Sequence, residues 1–249
     1  MVEINEKLDA RYRQQKDGVF DEDEEWRLRQ VAQSYALCEN SIAVLSNLRT
    51  DQSHIYFGKV SEVLDFADGG SYQKVDSVWE EEIYSRIHPD DWPRRCLQEL
   101  MFFRMVSASH TKDSFAWHLE NTMRMHDHDG RYHSVLHRIF YFAGRSKPGI
   151  CYSLCLYNLA AKDNKGAWLV NMLIGERKKL DVENSPLLTE RERLVLQLIL
   201  EGKSSKLIAE RFDISKHTVD RHRQNIIAKL QVNNTTEACH KAKMLGLIE

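Results

Sequence analysis

The sequence contains no CxxC pair, and its five cysteines, at 38, 96, 151, 155 and 239, are scattered and odd in number. That argues against a disulfide framework and against a zinc site built on paired thiols, and it fits reduced thiols in a cytoplasm. No stretch approaches the roughly 18 consecutive apolar residues that a membrane span needs. The opening Met1-Val2-Glu3-Ile4-Asn5-Glu6 lacks the basic-then-apolar plan of a secretory signal. Gly-rich phosphate loops, nucleophile elbows and zinc-binding helix motifs are missing, so no catalytic residue is assigned and the chain is not read as an enzyme. Repeats and low-complexity tracts are missing too. The expectation is a cytoplasmic protein with no membrane partner, no assigned cofactor and no metal site.

What is present is ordinary in bulk and uneven in detail. At 249 residues, 42% hydrophobic and 29% charged, the chain suits one large or two modest globular domains. Its net charge of −2 hides an asymmetry. From Pro186 to Glu249 there are eleven Lys and Arg against eight Asp and Glu, while the rest of the chain is acidic. A mildly basic tail on an acidic body suits contact with phosphates.

Residues 1–23 are highly charged and read as a solvated segment. From Glu24 to Cys38, with Trp26, Val31, Tyr35 and Leu37, the pattern predicts an amphipathic helix. Ser41–Arg49 and His54–Phe57 read as a hairpin about Thr50-Asp51-Gln52-Ser53. Helices are expected over Trp79–Ile87 and, after His88-Pro89-Asp90-Asp91-Trp92-Pro93, to about Val106, with Asp as the cap. Three strands follow, Phe115–Met125, Tyr132–Phe142 and Ile150–Leu159. They are separated by the turns His126-Asp127-His128-Asp129-Gly130 and Ser146-Lys147-Pro148-Gly149. Gly175–Ser185 is polar and reads as a linker.

Six histidines, 110, 118, 126, 128, 133 and 137, offer metal or haem ligand types. His126 and His128 sit at a predicted hairpin tip, where Asp, His and Gly favour the turn itself, and alternation sends strand neighbours to opposite faces. Cys151 and Cys155, four apart on a strand, would share a face but lie too far apart for a disulfide, and read as buried small hydrophobes. The aromatic set Tyr56, Phe57, Phe66, Trp117, Tyr132, Phe140, Phe142 and Tyr152 reads mostly as core.

Two strands, short helices, a longer helix and three hairpin strands make a small antiparallel sheet with helices on a face. This order resembles a PAS domain over roughly residues 40–162. Ile87-His88-Pro89-Asp90-Asp91 is similar to the PAS helix start, and Arg124 through Gly130-Arg131-Tyr132 to its R-x-x-x-DG-x-Y hairpin. The resemblance implies a sensory or dimerisation unit, and it allows a small-molecule effector among part of the aromatic set. A receiver domain would need alternating parallel strands and helices with a phosphoacceptor Asp, a pattern not seen here. The thiol of the flavin-binding PAS type is missing with its N-C-R-F-L-Q-like helix start.

The last sixty residues are more specific. Thr189 and Glu192 fit a capping box opening a helix whose apolar stripe is Leu194, Val195, Leu198 and Ile199, ended by Gly202. Ser204 or Ser205 caps a second helix containing Ile208, Ala209 and Phe212. Asp213-Ile214 makes a tight turn, Ser215 caps a third helix to Leu230, and Asn234 with Glu237 opens a fourth. A short connector between the second and third helices is the DNA-binding helix-turn-helix pattern. At about 100° per residue from Val219, His222, Ile226 and Leu230 turn inward. His217, Asp220, Arg221 and Gln224 turn outward around the small Ala228, and Lys216 and Arg223 flank them where phosphates would lie.

The string L-T-E-R-E-R-x-V-L-x-L-I-x-x-G-K-S-S-K-x-I-A-x-R-F-x-I-S-x-x-T-V-x-x-H-R-x-N-I-x-x-K-L, from Leu188 to Leu230, resembles the LuxR/FixJ-type DNA-binding domain. The resemblance implies that the third helix reads bases and the fourth supports a homodimer. Carried over by position, Asp220, Arg221 and Gln224 would face bases, and Lys216, Thr218 and Arg223 the backbone. Asp220 departs from the family, which often has Lys there; an acid could accept from cytosine N4 but would repel phosphates.

The reading is therefore α+β. A charged and helical segment (1–39) leads to a PAS-like antiparallel sheet with flanking helices (40–174). A linker (175–186) then joins an all-α four-helix LuxR-type helix-turn-helix domain (187–249). The expected function is a dimeric, sequence-specific transcription regulator acting on double-stranded DNA under control of the PAS-like domain. The alternative is a cofactor- or metal-dependent catalytic sensor that its C-terminal module merely anchors.

Overall fold

The computed structural model describes residues 21–108, 115–144, 149–160, 166–180, 188–230, 232–245 and 247–248. The charged segment 1–20, His110, the turn residues Ser146–Pro148, linker residues 181–186 and Leu187 lie outside the described residues. The chain divides into two compact units, Met1–Leu180 and Asp181–Glu249.

Among the described residues, unit 1 is built on one antiparallel sheet of eight strands in the order β3-β2-β1-β6-β5-β4-β7-β8. The strands are β1 (Ile42–Asn47), β2 (Gln52–Phe57), β3 (Tyr72–Val75), β4 (Trp117–His126), β5 (Tyr132–Ala143), β6 (Ile150–Leu159), β7 (Ala167–Asn171) and β8 (Glu176–Lys179). Helix α1 (Glu22–Cys38) precedes them. Between β2 and β4 lie α2 (Val60–Val63), α3 (Glu81–Ser85) and α4 (Asp91–Ala108). This is the element order that carried the PAS-like resemblance, with β3, β7, β8 and α2 added.

The sheet is covered on both sides, which is why β1 and nearly all of β2 and β6 are buried. One face packs Ile42, Val44, Ile55, Ile139 and Tyr157 against Phe102, Phe103 and Val106 of α4 and against α2 and α3. The other packs Ala43, Leu45, Tyr56, Leu154 and Leu156 against Ala32 and Ala36 of α1. Close approach requires small groups here: a Cβ on Gly58 would lie 2.4 Å from the carbonyl oxygen of Ala36, at the end of α1.

The acidic start is not a solvated segment where it is described. Asp21 caps α1 by accepting from the Glu24 amide at 3.0 Å, and Glu22 to Glu25 fill the first turn, where the helix dipole favours carboxylates. The inward face of α1 is not the one its large side chains suggest. Trp26 and Leu37 are 61% and 64% exposed, while Glu25, Ala32 and Ala36 are buried. Glu25 meets His54 Nε2 at 3.1 Å and accepts from Asn47, and Arg29 donates to the Tyr56 hydroxyl at 3.0 Å. The helix is docked by polar locks around small residues.

The two PAS-like motifs meet in space. The Asp91 carboxylate takes Arg124 in a fork (Nε 2.9 Å, Nη2 2.8 Å) and also accepts from its backbone amide at 2.8 Å. The start of α4 is thus pinned to β4, which is where the Asp91 side chain is spent rather than on a cap. At the hairpin tip Asp127 accepts from the Arg131 amide and from His133, and Gly130 takes φ +79°.

Two further expectations are corrected. Glu176–Lys179, inside the segment read as linker, pairs with β7 as β8. Cys151 and Cys155 do not share a face: Cys155 belongs to the core beneath α4 and Cys151 to the core beneath α1. A register shift opposite Phe142 and Ala143 puts an extra residue into β6 at Cys151, and such a bulge inverts the alternation. None of the five cysteines is in a disulfide.

Among the described residues, unit 2 is four helices: α5 (Glu190–Leu200), α6 (Ser205–Phe212), α7 (Lys216–Leu230) and α8 (Thr235–Leu245). Their core is Leu188, Val195, Leu196, Leu198, Ile208, Ala209, Val219, Ile226, Leu230, Ala238, Ala242 and Leu245. Leu194, expected in the apolar stripe, is 40% exposed, and Leu196 takes its place inside.

Candidate nucleic-acid interface

Local chemistry fixes where each helix of unit 2 begins and ends. Thr189 and Glu192 form the full capping box: the Glu192 amide donates to Thr189 Oγ1 at 3.2 Å, and Glu192 Oε2 accepts from the Thr189 amide at 2.8 Å. Gly202 supplies the stop at φ +79°. Ser204, not Ser205, caps α6 through the Leu207 amide. Asp213 adopts the left-handed conformation (φ 51°, ψ 48°), which turns the chain sharply between α6 and α7. Ser215 accepts from the Thr218 amide at 3.0 Å and its hydroxyl meets that of Thr218 at 2.8 Å. Asn234 accepts from the Glu237 amide at 2.9 Å, while Glu237 reaches back one residue further than expected, to the amide of Asn233.

Tertiary locks hold α7 in this frame. Lys229 Nζ donates to the buried Glu192 carboxylate at 2.6 Å, tying the end of α7 to the start of α5. Burial pushes the Glu192 pKa up. The Lys229 and Thr189 hydrogen bonds outweigh it and hold the group below the ordinary carboxylate value. Arg191 lies over the Phe212 ring at 3.7 Å and donates to the Phe212 carbonyl, closing α5 onto α6.

With Val219, Ile226 and Leu230 buried, α7 turns an exposed stripe outward: His217, Arg221, Gln224 and Ala228, flanked by Lys216 and Asn225. The spacing of four, three and four residues keeps these on one side of the helix. Asp220 is half-buried at the edge of the stripe, and Thr218 is half-buried beside Ser215. His222 is also half-buried. The stripe is thus polar around a small central side chain, a shape that can approach base edges.

Arg223 departs from the outline. Its guanidinium donates to Ser205 Oγ at 3.2 Å and to Thr235 Oγ1 at 3.0 Å, at the first turns of α6 and α8. It joins three helices from within the module. No sequence signal pointed to this role, because its partners lie 18 and 12 residues away.

Three histidines of unit 1 have local partners: His118 meets Glu120, His133 meets Asp127, and His137 Nδ1 meets Asn121 at 3.2 Å, while His137 Nε2 is buried without a hydrogen-bond partner among the described residues. Burial holds the His137 pKa well below its ordinary value. Among the described residues no three His, Cys, Asp or Glu side chains are grouped to hold a metal ion. Among them, too, no helix is long and apolar enough to cross a membrane.

The family model described as bacterial regulatory proteins, luxR family, matches residues 186–242. Over 72 residues, 29% of the chain, the sequence is 36% identical to the spore germination protein GerE of Bacillus subtilis (strain 168), of which it covers 97%. It is 38% identical over 61 residues, 24% of the chain, to the transcriptional regulatory protein FixJ of Bradyrhizobium diazoefficiens, covering 30% of that protein. The chain spans about a third of the length of FixJ and of the Klebsiella aerogenes monoamine regulon transcriptional regulator. Among solved structures, that of the transcription factor GerE is 38% identical, with a TM-score of 0.25, over 25% of this chain and 94% of that one.

Proposed function

The chain belongs to the luxR family of bacterial regulatory proteins, and from that premise we propose that it is a sequence-specific DNA-binding transcription regulator whose α7 lies in the major groove. The observation that carries this reading is the exposed stripe His217, Arg221, Gln224 and Ala228 on a helix locked by caps and by Lys229–Glu192. Arg221 and Gln224 have the donors and acceptors that read guanine and adenine edges, and Ala228 leaves room for close approach. Asp220, at the rim, selects cytosine or orients Arg221. Lys216, Thr218 and the α7 N-terminus engage phosphate.

The protein acts as a homodimer on two half-sites about one helical turn, roughly 34–36 Å, apart. It works in the cytoplasm, where five cysteines outside any disulfide suit a reducing compartment. The PAS-like unit controls dimerisation or the arrangement of the DNA-binding modules, in response to a small-molecule effector.

Fluorescence anisotropy on operator and scrambled duplexes tests the reading. Arg221→Ala should cost on the order of 1–3 kcal/mol on the operator and leave the scrambled duplex nearly unchanged. Arg223→Ala should weaken both duplexes and also loosen the module, because Ser205 and Thr235 lose their shared donor. If Arg221→Ala binds both duplexes as wild type does, α7 is not the reading helix.

A further inference from the structure

We propose that a cleft in unit 1, between β2, β3 and α3, binds a small organic cation: a protonated amine or quaternary ammonium on an apolar body. The cleft has a volume of about 780 Å³, within the usual range for small-ligand sites. This names a ligand class for the unit whose control of the DNA-binding module is proposed above.

Two independent features of the wall converge on this chemistry. The first is aromatic. Trp79, Tyr84 and Trp92 line the cleft as a contiguous set, with centroids 5.8 Å apart for Trp79 and Tyr84 and 4.8 Å for Tyr84 and Trp92. Each pair is tilted, at 60° and 48°, so the rings form a corner rather than a flat stack. The faces of such rings carry negative potential and attract cations. The fold already uses two of them this way: the Arg95 guanidinium lies 4.9 Å from the Tyr84 centroid and 5.2 Å from that of Trp92.

The second feature is charge. Glu80, Glu81 and Glu82 all line the cleft, and no Lys, Arg or His does among the described residues. Glu81 and Glu82 are exposed, whereas Glu80 is buried and accepts from Ser46 and Ser53. The nearby positive charge of Arg95 is met by Glu99 at 2.9 Å and also acts on the buried Glu80, which leaves the exposed Glu81 and Glu82 as the carboxylates that face a ligand. Burial raises the Glu80 pKa, and a bound cation would favour its ionised form. An anion would meet repulsion here, and a neutral ligand would gain nothing from Glu81 and Glu82. Aromatic walls with a carboxylate rim complement a cation.

The test uses the full-length chain, choline chloride, and the neutral isostere 3,3-dimethylbutan-1-ol, followed by calorimetry and tryptophan fluorescence at matched ionic strength. Choline should bind saturably and on the order of tenfold more tightly than the alcohol. Trp79→Leu should weaken choline by a similar factor. The exposed pair Glu81→Gln with Glu82→Gln should weaken it several-fold and flatten its salt dependence. The acid pair decides the matter even if Trp79→Leu disturbs folding. Equal affinity for choline and the alcohol would overturn the proposal, as would no saturable binding of choline or binding unmoved by these variants. Because the readout is binding to unit 1, this proposal can fail while DNA recognition stands, and the reverse.

Discussion

Glu192 is a buried carboxylate that gathers donors from three directions: the Thr189 amide, the Thr189 hydroxyl and the Lys229 ammonium. It therefore acts as a helix cap and as a tertiary lock. Replacing it with Gln should destabilise the α5 start and the α7 end by about 1–2 kcal/mol at neutral pH, the upper range for losing a cap. The pH dependence follows from the sign of the shift. A carboxylate held below its ordinary value of 4.5 contributes stability that is fully present above that value and fades as pH falls through the folded pKa. Hydrogen exchange of α5 and α7 amides should thus show a gap between wild type and Glu192→Gln at pH 7 that narrows below about pH 4. A gap that stays constant with pH would exclude the carboxylate as its source. The capping half of this arrangement was legible, because Thr-x-x-Glu is a local pattern. The lock to Lys229 was not, since the two residues lie 37 positions apart. The fork of Arg223 was invisible for the same reason.

At the scale of elements, α4 carries an ion pair into an apolar core. Arg95 and Glu99 are one turn apart, both nearly inaccessible, with Nη1 and Oε2 at 2.9 Å. Removing one partner leaves the other charge buried, so Glu99→Gln should destabilise unit 1 by about 3–5 kcal/mol. Replacing both by apolar residues, Arg95→Met with Glu99→Leu, should recover most of that loss. Denaturant melts of the three proteins check this; a double variant as unstable as the single one would contradict it. The same helix shows what sequence could and could not reveal. Its start, its length and the strands β1, β2, β4, β5 and β6 follow from apolar periodicity and turn residues. Strands β3 and β8 carry no buried side chain and so leave no periodic trace; backbone pairing holds them together with half-exposed contacts such as Tyr72 on His54 and Arg177 over Trp168. Helix α1 misleads in the opposite way: Trp26 and Leu37 face out, while Ala32 and Ala36 are buried against the sheet with Leu28 and Tyr35 half-buried on the same core. The bulge at Cys151 breaks the one rule, strict alternation, on which face assignments depend.

For the whole molecule, an antiparallel-sheet unit with an apolar core on each face and a mildly basic four-helix module share one chain. The module was the more legible of the two, since its exposed stripe depends only on helical angle and its caps only on neighbours. The proposed function rests on that stripe selecting a DNA sequence. The most direct measurement is selection of bound duplexes from a random pool by the full-length protein, run in parallel for wild type and Arg221→Ala. Wild type should enrich a pair of half-sites centred about 10 base pairs apart, and the variant should show relaxed preference at one position of each half-site. A wild-type pool that stays random, or an enriched site unchanged by Arg221→Ala, would contradict it.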